Sequence, residues 1–398
     1  MIRKRVLCVS YGGGHAAMLT PVIKELEKDE TLEVLTLGLT TSKSYFESNG
    51  VSCFGFKDFT FLVDSKFHEI GSNLVSKEGS SNLVSKEESI AYMGINMLDL
   101  IERLGVEKGQ EEFSKRGRQA FLPTNFFVKL LTHLSIDFVI ATNSPRSEQA
   151  AIVAARNLRV KSICLVDLFA LQEYHWIKDN AYSDKVCVLN DQVKEFLISH
   201  GRKSENIVVT GNPAFDAINF KEKIRRGEAI RERLGNDKTT ILYASQVEPD
   251  EHPINALKGD PMLPRDIENS LRQFVRKNDD YKLLLRFHPS EKLQFIGEER
   301  VEYGGEDLHS ILHAVDIVVV MSSTVGLEAY IAGKPVISVD LSIFTSDAPY
   351  SEMGISEGVS SLDALDNAIR ETQLGNQVQM GQGNALSNVM QEINSLLK

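Results

Sequence analysis

The stretch that decides the fold is Asp316–Ile337, with the sequence DIVVVMSSTVGLEAYIAGKPVI. It predicts a buried strand at Ile317–Met321, a Ser/Thr turn, a short helix, a Gly-Lys-Pro turn and a second strand at Pro335–Val339. Runs of Val and Ile without polar interruption suit strands that are covered on both faces. The strand–helix–strand order therefore predicts a parallel sheet flanked by helices.

The same alternation extends over most of the chain. The other predicted strands are Val6–Ser10, Glu33–Leu37, Phe138–Thr142, Ser162–Val166, Lys185–Leu189, Ile207–Thr210, Thr240–Ser245, Lys282–Phe287 and Val301–Tyr303. Helical patterns lie between them, at about Pro21–Lys28, Gln149–Leu158 and Lys221–Leu234. The alternation breaks at the turn residues Thr210–Pro213 and then restarts. We therefore predict an α/β protein of two units joined near residue 215, with domains at 1–215 and 216–380.

Composition sets broad limits on function. The chain has 398 residues, 42% of them apolar and 25% charged, which excludes a disordered, collagen-like or disulfide-stapled protein. Lys plus Arg number 44 and Asp plus Glu number 55, so the formal net charge is −11. This acidity argues against a nucleic-acid-binding surface, but a local anion-binding site is compatible with it.

The cysteines and the N-terminus bear on the compartment. Cys8, Cys164 and Cys187 lie in predicted strands, and none of the four cysteines forms a CxxC pair, so we expect buried, reduced thiols. The apolar run Val6–Val9 is too short for a secretory signal, and no window approaches the roughly 20 apolar residues of a transmembrane helix. We expect a cytoplasmic protein, with any membrane contact peripheral and at the inner face.

The stretch from about 57 to 125 does not follow the alternation, and we interpret it as an insertion. It contains a tandem repeat, SNLVSKEGS at 72–80 and SNLVSKEES at 81–89. A shift of nine residues rotates a helix by about 180°, so one continuous helix would place Leu74 and Leu83 on opposite faces. The repeat is therefore predicted to be a duplication in an irregular surface segment; the alternative is a flap over an acceptor site.

Basic and aromatic residues interleave after the repeat, at Phe113–Phe121 and Asn125–Leu131. This pattern is typical of a core helix with a basic shoulder. The alternative is a patch that contacts a membrane surface or a lipid acceptor.

A glycine-rich turn, Tyr11–His15 (YGGGH), follows the first strand. Ligands of open parallel sheets collect at the carboxyl ends of the strands, and glycines let the backbone approach a ligand closely. Gly13 and Gly14 are therefore candidate phosphate-binding residues, and His15 is a candidate general base. The spacing differs from GxGxxG, which disfavours a dinucleotide-dependent dehydrogenase. The alternative is a tight turn whose histidine is incidental.

Two further clusters follow strands of the second domain. Arg286 and His288, in the sequence RFHP, are candidates for binding phosphate or pyrophosphate, with a structural turn as the alternative. Ser322, Ser323 and Thr324 precede a helix whose free backbone N–H groups would attract an anion. Glu328, one turn later, could accept hydrogen bonds from ribose hydroxyls. The alternative for this cluster is a helix cap with a solvated glutamate.

The stretch NSPRSE at 143–148 follows the strand Phe138–Thr142, and Asp167 follows the next strand. Glu148 and Asp167 are candidates for an acid, a base or an acceptor of hydrogen bonds from sugar hydroxyls. Helix capping and loop salt bridges explain both carboxylates equally well.

Four features together resemble the GT-B superfamily, the twin-Rossmann glycosyltransferases and the related UDP-N-acetylglucosamine 2-epimerases. They are GGGH at Gly12–His15, VTGNPAFD at Val209–Asp216, the pair His288-Pro289, and SSTVGLEAYIAGKPVI at Ser322–Ile337. Their order and spacing span residues 6–340, and they are most similar to bacterial surface-polysaccharide enzymes.

The resemblance implies two Rossmann-like domains that face each other across a cleft. The C-terminal domain would bind a nucleotide-sugar through Asn212, Arg286 and His288, through the Ser322–Thr324 turn and through the ribose-contacting Glu328. The N-terminal domain would bind a glycan or lipid-linked acceptor and carry His15. The segment 381–398, with a helix at Leu386–Leu397, would pack back on the N-terminal domain.

Some details favour one branch of the superfamily. The 2-epimerases usually begin with a Gly-Thr-Arg-Pro-Glu loop, which YGGGH replaces here, and this argues for a transferase. No Asp-x-Asp motif occurs, so we expect metal-independent, inverting transfer without a cofactor. The donor is expected to be a UDP-sugar rather than a CMP- or CDP-linked one. A 2-epimerase and a non-catalytic nucleotide-sugar-binding protein are the alternatives.

Overall fold

The computed structural model describes residues 3–79, 84–252, 257–288, 290–372 and 384–398. The chain divides into two compact units. The first comprises Met1–Ala214 and Asn384–Lys398, and the second comprises Phe215–Gly383. Each unit is built on one six-stranded sheet, and every strand pairing in both sheets is parallel. The predicted α/β fold class with two Rossmann-like parallel sheets is confirmed.

The sheet of the first unit has the strand order β2-β1-β3-β4-β5-β6. Its strands are β1 Lys4–Ser10, β2 Leu32–Gly38, β3 Phe138–Thr142, β4 Lys161–Leu165, β5 Lys185–Val188 and β6 Ile207–Val209. The helices of this unit are α1 Gly13–Leu26, α2 Thr41–Ser48, α3 Lys66–Glu78, α4 Lys86–Leu104, α5 Val106–Arg116, α6 Thr124–His133, α7 Ser147–Leu158, α8 Tyr174–Ile177, α9 Asp191–Ser199 and, near the C-terminus, α15 Ala385–Leu397.

The sheet of the second unit has the strand order β12-β11-β10-β7-β8-β9. Its strands are β7 Thr239–Ala244, β8 Tyr281–Arg286, β9 Val301–Tyr303, β10 Ile317–Val320, β11 Val336–Val339 and β12 Glu357–Val359. The helices are α10 Lys221–Leu234, α11 Leu263–Lys277, α12 Leu308–Ala314, α13 Thr324–Ile331 and α14 Leu365–Glu371.

The predicted strands all occur, with ends that differ by at most two residues. The strand β12 was not predicted, because its three residues, EGV, contain no apolar run. The first helix was predicted to begin near Pro21, but α1 begins at Gly13. The glycines that suggested a turn form the first turn of this helix, and Pro21 lies inside it.

The C-terminal helix α15 belongs to the core of the first unit. Its Val389 and Ile393 are fully buried together with Ala16 and Leu19 of α1. Gly211 follows β6 with φ +78°, and a Cβ there would lie 3.0 Å from the Cβ of Ala385. The TGN turn therefore uses glycine both for its backbone conformation and for the close approach of α15.

The insertion is helical, which corrects the prediction of an irregular segment. The first copy of the repeat ends α3 and the second begins α4, while residues 80–83 lie outside the described ranges. The copies differ only where Gly79 stands opposite Glu88. Gly79 has φ +83°, which ends α3, whereas Ser85 caps α4 by accepting from the N–H of Glu88. The two copies therefore contribute to different helices, and no single helix has to contain both of them.

The helices α3 and α4 pack at very short range. A Cβ on Gly71 would lie 2.1 Å from the carbonyl oxygen of Ile90, and a Cβ on Gly94 would lie 1.9 Å from that of Phe67. Only glycine fits at such a crossing. The insertion is thus a specifically packed part of the first unit.

Candidate functional site

Each sheet has one point where the chain reverses the direction in which it adds strands. In the first unit β1 pairs with both β2 and β3, so the turns Tyr11–His15 and Asn143–Glu148 lie side by side at the carboxyl ends of β1 and β3. We call this region the first switch point. Ligands of open parallel sheets bind at such positions.

Two helix N-termini open at the first switch point, and neither has a side-chain cap. The helix α1 starts after Gly12, and its first internal bond runs from the N–H of Ala16 to the oxygen of Gly12 (2.9 Å). The helix α7 starts after Arg146, which has φ +72°, a strained value for a residue with a side chain. The leading N–H groups of both helices therefore have no partner within their helix.

The predicted bases His15 and Asp167 lie together at this edge. His15 Nδ1 is 3.8 Å from Asp167 Oδ2, within ion-pair range but too far for a hydrogen bond. His15 Nδ1 is buried and has no hydrogen-bond partner, while part of the side chain is exposed. A protonated imidazole would be stabilised by this carboxylate, as a general base requires once it has taken a proton.

Hydrogen bonds from neighbouring strand ends hold Asp167 in place. Its N–H donates to Oδ1 of Asn143 (3.1 Å), and its carbonyl oxygen accepts from Nδ2 of Asn212 (3.0 Å). Oδ1 of Asn212 accepts in turn from the N–H of Ala214 (2.9 Å). In this unit Asn212, which was predicted to bind the nucleotide-sugar, therefore orients the loop that carries Asp167.

Glu148 lies in the first turn of α7 and is completely buried. Neither carboxyl oxygen has a partner of hydrogen-bonding geometry, although the backbone N–H groups of Tyr11 and Glu148 itself lie close enough to act on the carboxyl. Burial outweighs these groups and raises the pKa of Glu148 to about 8. At neutral pH a carboxyl with this pKa is mostly protonated, which among the roles predicted for Glu148 favours the acid.

Arg146 and Tyr11 link the two turns of the first switch point. The guanidinium carbon of Arg146 lies 4.6 Å from the centre of the Tyr11 ring, a cation–π contact. Arg146 Nε is buried without a partner. A fixed positive charge therefore stands beside the uncapped helix ends, which suits an anionic or strongly polar ligand.

The second switch point comprises the turns Ser245–Glu248 and Met321–Thr324, after β7 and β10. β7 pairs with both β8 and β10. Gln246 bridges the two turns, since its Nε2 donates to Oγ of Ser322 (2.9 Å) and its Oε1 accepts from the N–H of Ser322 (3.1 Å). This pair of bonds fixes the position of Ser322 at the start of the Ser/Thr turn.

The Ser/Thr turn caps a helix, and the anion site predicted there stays a prediction. Ser323 is the N-cap of α13, and its Oγ accepts from the N–H of Val325 (3.4 Å). A Cβ on Gly326 would lie 2.8 Å from Cγ2 of Val320, so this glycine lets α13 sit close to β10. Thr324, the first residue of the helix, is exposed.

Glu328 has a partner that the sequence did not indicate. Its Oε2 lies 3.0 Å from Nε2 of His309 in α12, and both side chains are largely buried. The histidine restricts the carboxylate to one orientation. Glu328 remains a candidate for contacting ribose hydroxyls, now as one half of a pair.

His288 is exposed after the end of β8, and Pro289 lies outside the described residues. Nδ1 of His288 accepts from the N–H of Ser290 (3.1 Å), so the neutral ring carries its proton on Nε2 and can donate it to a ligand. Glu291 holds the turn, with Oε2 accepting from the N–H of His288 (2.7 Å) and Oε1 from Nη2 of Arg265 (2.9 Å).

Arg286 stabilises backbone at the same edge. Its Nη1 donates to the carbonyl oxygens of Gly304 (2.9 Å) and Glu306 (2.8 Å), which lie between β9 and α12. Nη1 is therefore already bonded within the protein. Binding of phosphate by the other guanidinium nitrogens of Arg286 stays a prediction.

Sequence reasoning missed Gln246, His309 and Glu291. Gln246 stands two residues after a buried strand, and the rule that singled out His15 and Asp167 would have found it. His309 and Glu291 act through partners 19 and 46 residues away, Glu328 and Ser245, and no local pattern marks such pairs.

No three His, Cys, Asp or Glu side chains among the described residues gather so that they could hold a metal ion. Likewise, no helix among them combines the length and the apolar character needed to cross a membrane. Metal-independent catalysis stays a prediction.

Comparison with known proteins gives one family match and several structural matches. Residues 199–357 match the model of a family described as capsule polysaccharide biosynthesis proteins. No curated protein matches the sequence. The matched segment contains the whole second switch point but less than half of the chain.

Solved structures match over nearly the full length. A candidate UDP-N-acetylglucosamine 2-epimerase from Listeria monocytogenes has a TM-score of 0.60 at 17% identity, covering 100% of this chain and 97% of its own. The UDP-GlcNAc 2-epimerase of Neisseria meningitidis, bound to UDP-GlcNAc, has a TM-score of 0.59 at 14% identity, covering 98% and 100%. A glycotransferase of kitacinnamycin has a TM-score of 0.53 at 12% identity, covering 100% and 96%.

At sequence identities this low, the structural matches establish the fold but no more specific property. The two parallel six-stranded sheets agree with those matches. The chain therefore has the two-domain, Rossmann-like GT-B fold, and its segment 199–357 resembles the capsule polysaccharide biosynthesis proteins.

Proposed function

We propose that this protein is a glycosyltransferase that moves a sugar from a nucleotide-sugar to a glycan or lipid-linked precursor of a cell-surface polysaccharide. The observation that carries the proposal is the match to the capsule polysaccharide biosynthesis family. The matched residues, 199–357, contain the entire second switch point. The geometry of that switch point suits the phosphates and the ribose of a donor.

The second unit binds the donor. Nε2 of His288 donates to a phosphate oxygen, and the N-terminus of α13 faces negative charge with its first N–H groups. Glu328, oriented by His309, accepts from the ribose hydroxyls. The donor is a UDP-sugar in this proposal, and neither a metal nor a cofactor takes part.

The first unit supplies the base. His15 takes the proton of an acceptor hydroxyl, and Asp167 stabilises the imidazolium that results. The acceptor oxygen forms a bond to the anomeric carbon from the face opposite the leaving group, and the bond from that carbon to the phosphate oxygen breaks. The nucleoside diphosphate leaves with the electron pair, and the configuration at the anomeric carbon inverts.

The test is the variant His288→Ala, with transfer from radiolabelled UDP-sugars to a membrane-lipid extract as the readout. We expect transfer to fall by at least tenfold, because a hydrogen bond to a charged phosphate contributes about 1.5–3 kcal/mol to binding. The melting temperature should stay the same, since the side chain of His288 is exposed. Wild-type turnover in this variant would refute the assignment of His288 as a phosphate-binding residue.

A second candidate function is a UDP-N-acetylglucosamine 2-epimerase. Two solved 2-epimerases favour it, because their structural matches to this chain extend over 97% and 100% of their own chains. An epimerase needs no acceptor, so pure protein incubated with UDP-N-acetylglucosamine alone would release an epimer or a free sugar. A transferase leaves that substrate unchanged until an acceptor is added. Stabilisation by the nucleotide-sugar without turnover in either assay would identify a binding protein.

A further inference from the structure

A narrow pocket lies beside the first switch point, and the tandem repeat forms much of its wall. We call it the repeat pocket; it is bordered by Tyr11, Val75, Val84, Ser89 and Tyr92, among others. About 410 Å³ inside it is free of protein atoms, part of this open to solvent, and most of the space is narrow. The space therefore suits a slender occupant.

Both copies of the repeat contribute the same positions to the wall. Val75 and Val84 are the fourth residues of the two copies, while Gly79 and Glu88 are the eighth. The carboxylate of Glu88 accepts from the N–H groups of Phe56 (2.7 Å) and Lys57 (3.1 Å). The duplication thus supplies two valines to the wall, and the one acidic residue among these four positions already has its partners.

Two hydroxyl groups in the wall are poorly satisfied. Oγ of Ser89 is buried and makes no hydrogen bond. Oη of Tyr92 lies within bonding reach of the Tyr11 side chain, but the geometry of that contact is poor. Both side chains belong to residues that are only 7% exposed. Buried hydroxyls without partners cost free energy, and a bound molecule with oxygen atoms would satisfy them.

Tyr11 connects the repeat pocket to the proposed base. Tyr11 lies in the pocket wall, and its ring makes the cation–π contact with Arg146. His15 follows four residues later, near the start of α1. A chain in the pocket would therefore have its head group near the turn that bears His15. Leu39 and Met93 add to the apolar part of the wall.

We propose that the repeat pocket binds the apolar chain of an amphipathic acceptor and so directs the hydroxylated head group towards His15. This inference rests on the proposed transferase function, since it names the chemical class of the acceptor. The apolar wall holds the chain, and Ser89 and Tyr92 bond to the oxygen atoms that join the chain to its head.

The test uses alkyl β-glucosides with chains of four, eight and twelve carbons, each below its critical micelle concentration. Their binding to the full-length protein is measured by isothermal titration calorimetry. Each methylene group that leaves water for the pocket should tighten binding by up to about fourfold. We expect at least a tenfold gain from four to eight carbons.

Two variants and one control locate the site. Val84→Trp fills the pocket from a half-buried position outside the helices, and should abolish the dependence on chain length. Ser89→Ala removes a hydroxyl that has no partner, and should weaken binding of every glucoside about fivefold without lowering the melting temperature. Val106→Trp, at a position that is 57% exposed on α5, should leave binding unchanged.

Affinity that is independent of chain length, or Val84→Trp binding like the wild type, would overturn the pocket assignment. Equal loss in Val84→Trp and Val106→Trp would do the same. The two proposals fail separately. Chain-dependent binding without sugar transfer to any glucoside or lipid keeps the pocket and refutes the transferase, whereas transfer to short soluble glycans without chain-dependent binding keeps the transferase and refutes the pocket.

Discussion

The two switch points occupy equivalent places in their sheets but differ in how their polar groups are satisfied. At the first, His15 Nδ1, Arg146 Nε and Ser147 Oγ are buried without a partner, and neither carboxyl oxygen of Glu148 has a hydrogen bond of good geometry. At the second, Gln246 bonds to Ser322 twice, and beside it His309 holds Glu328 and three donors fix Glu291.

This difference suggests a division of labour. A region whose side chains already hold one another is preorganised, and it can bind a ligand without reorganising. A region with unsatisfied buried groups is costly in the free protein and gains partners when a ligand arrives or a proton moves. We therefore expect substitutions at the first switch point to change chemistry and pH dependence, and substitutions at the second to change affinity and stability.

The largest effect is expected from His15→Ala. Loss of a general base typically slows a reaction by 10²- to 10⁴-fold. Because the donor is bound by the second unit in our proposal, the shift in melting temperature caused by UDP should persist in this variant. The measurement is the initial rate of transfer together with a thermal-shift titration.

His68→Ala is the matched control, since His68 is exposed on α3 and far along the chain from both switch points. It should transfer at the wild-type rate. A variant at His15 that keeps full activity would remove the first switch point from the reaction and with it the contrast between the two regions.

The next effect concerns Glu148, whose folded-state pKa of about 8 exceeds the ordinary value near 4.5. Between these two values the folded protein binds a proton that the unfolded chain has lost, so this group's contribution to the free energy of unfolding decreases as pH rises, by up to about 1.4 kcal/mol per pH unit. Glu148→Gln stays neutral and removes that slope. Urea denaturation at pH 5, 6, 7 and 8 should show the variant gaining steadily on the wild type, and parallel pH profiles would contradict the buried, protonated carboxyl.

The sequence predicted one kind of feature well and another poorly. Strands buried on both faces are continuous apolar runs, so Ile317–Val320 and Phe138–Thr142 could be found from local pattern alone. The same holds for His15 and Asp167, because position after a strand end places both at one sheet edge. The pairs His309–Glu328 and Gln246–Ser322 join residues 19 and 76 positions apart, and only the folded chain reveals them.

The repeat shows a different limit of local reasoning. Its two copies are identical except at Gly79 and Glu88, yet one ends a helix and the other begins one. A pattern read over nine residues cannot distinguish them, because the outcome depends on a single glycine at positive φ and on a glutamate that binds backbone N–H groups 31 and 32 residues away.

A moderate effect is expected from Gln246→Ala. The change removes two hydrogen bonds and leaves the N–H of Ser322 without this partner, which should lower the free energy of unfolding by about 1–3 kcal/mol. Chemical denaturation measures that loss, and calorimetry with UDP should show weaker binding in parallel. The matched variant Asn143→Ala, at the first switch point, should leave UDP binding unchanged. Equal losses of UDP affinity in both variants would erase the distinction between the two regions.

The smallest effect is expected from His309→Ala, which leaves Glu328 in place but frees its carboxylate to rotate. If Glu328 contacts ribose, the affinity for UDP should fall only a few-fold, because the variant loses one orienting contact, worth on the order of 0.5–1 kcal/mol, and keeps the carboxylate itself. The sharper readout is the preference for UDP over its 2′,3′-dideoxy analogue. That preference should shrink in His309→Ala and vanish in Glu328→Ala, whereas phosphate binding by His288 should be unaffected. An unchanged preference in Glu328→Ala would show that the ordered pair stabilises the packing of α12 against α13 and takes no part in recognising the sugar of the nucleotide.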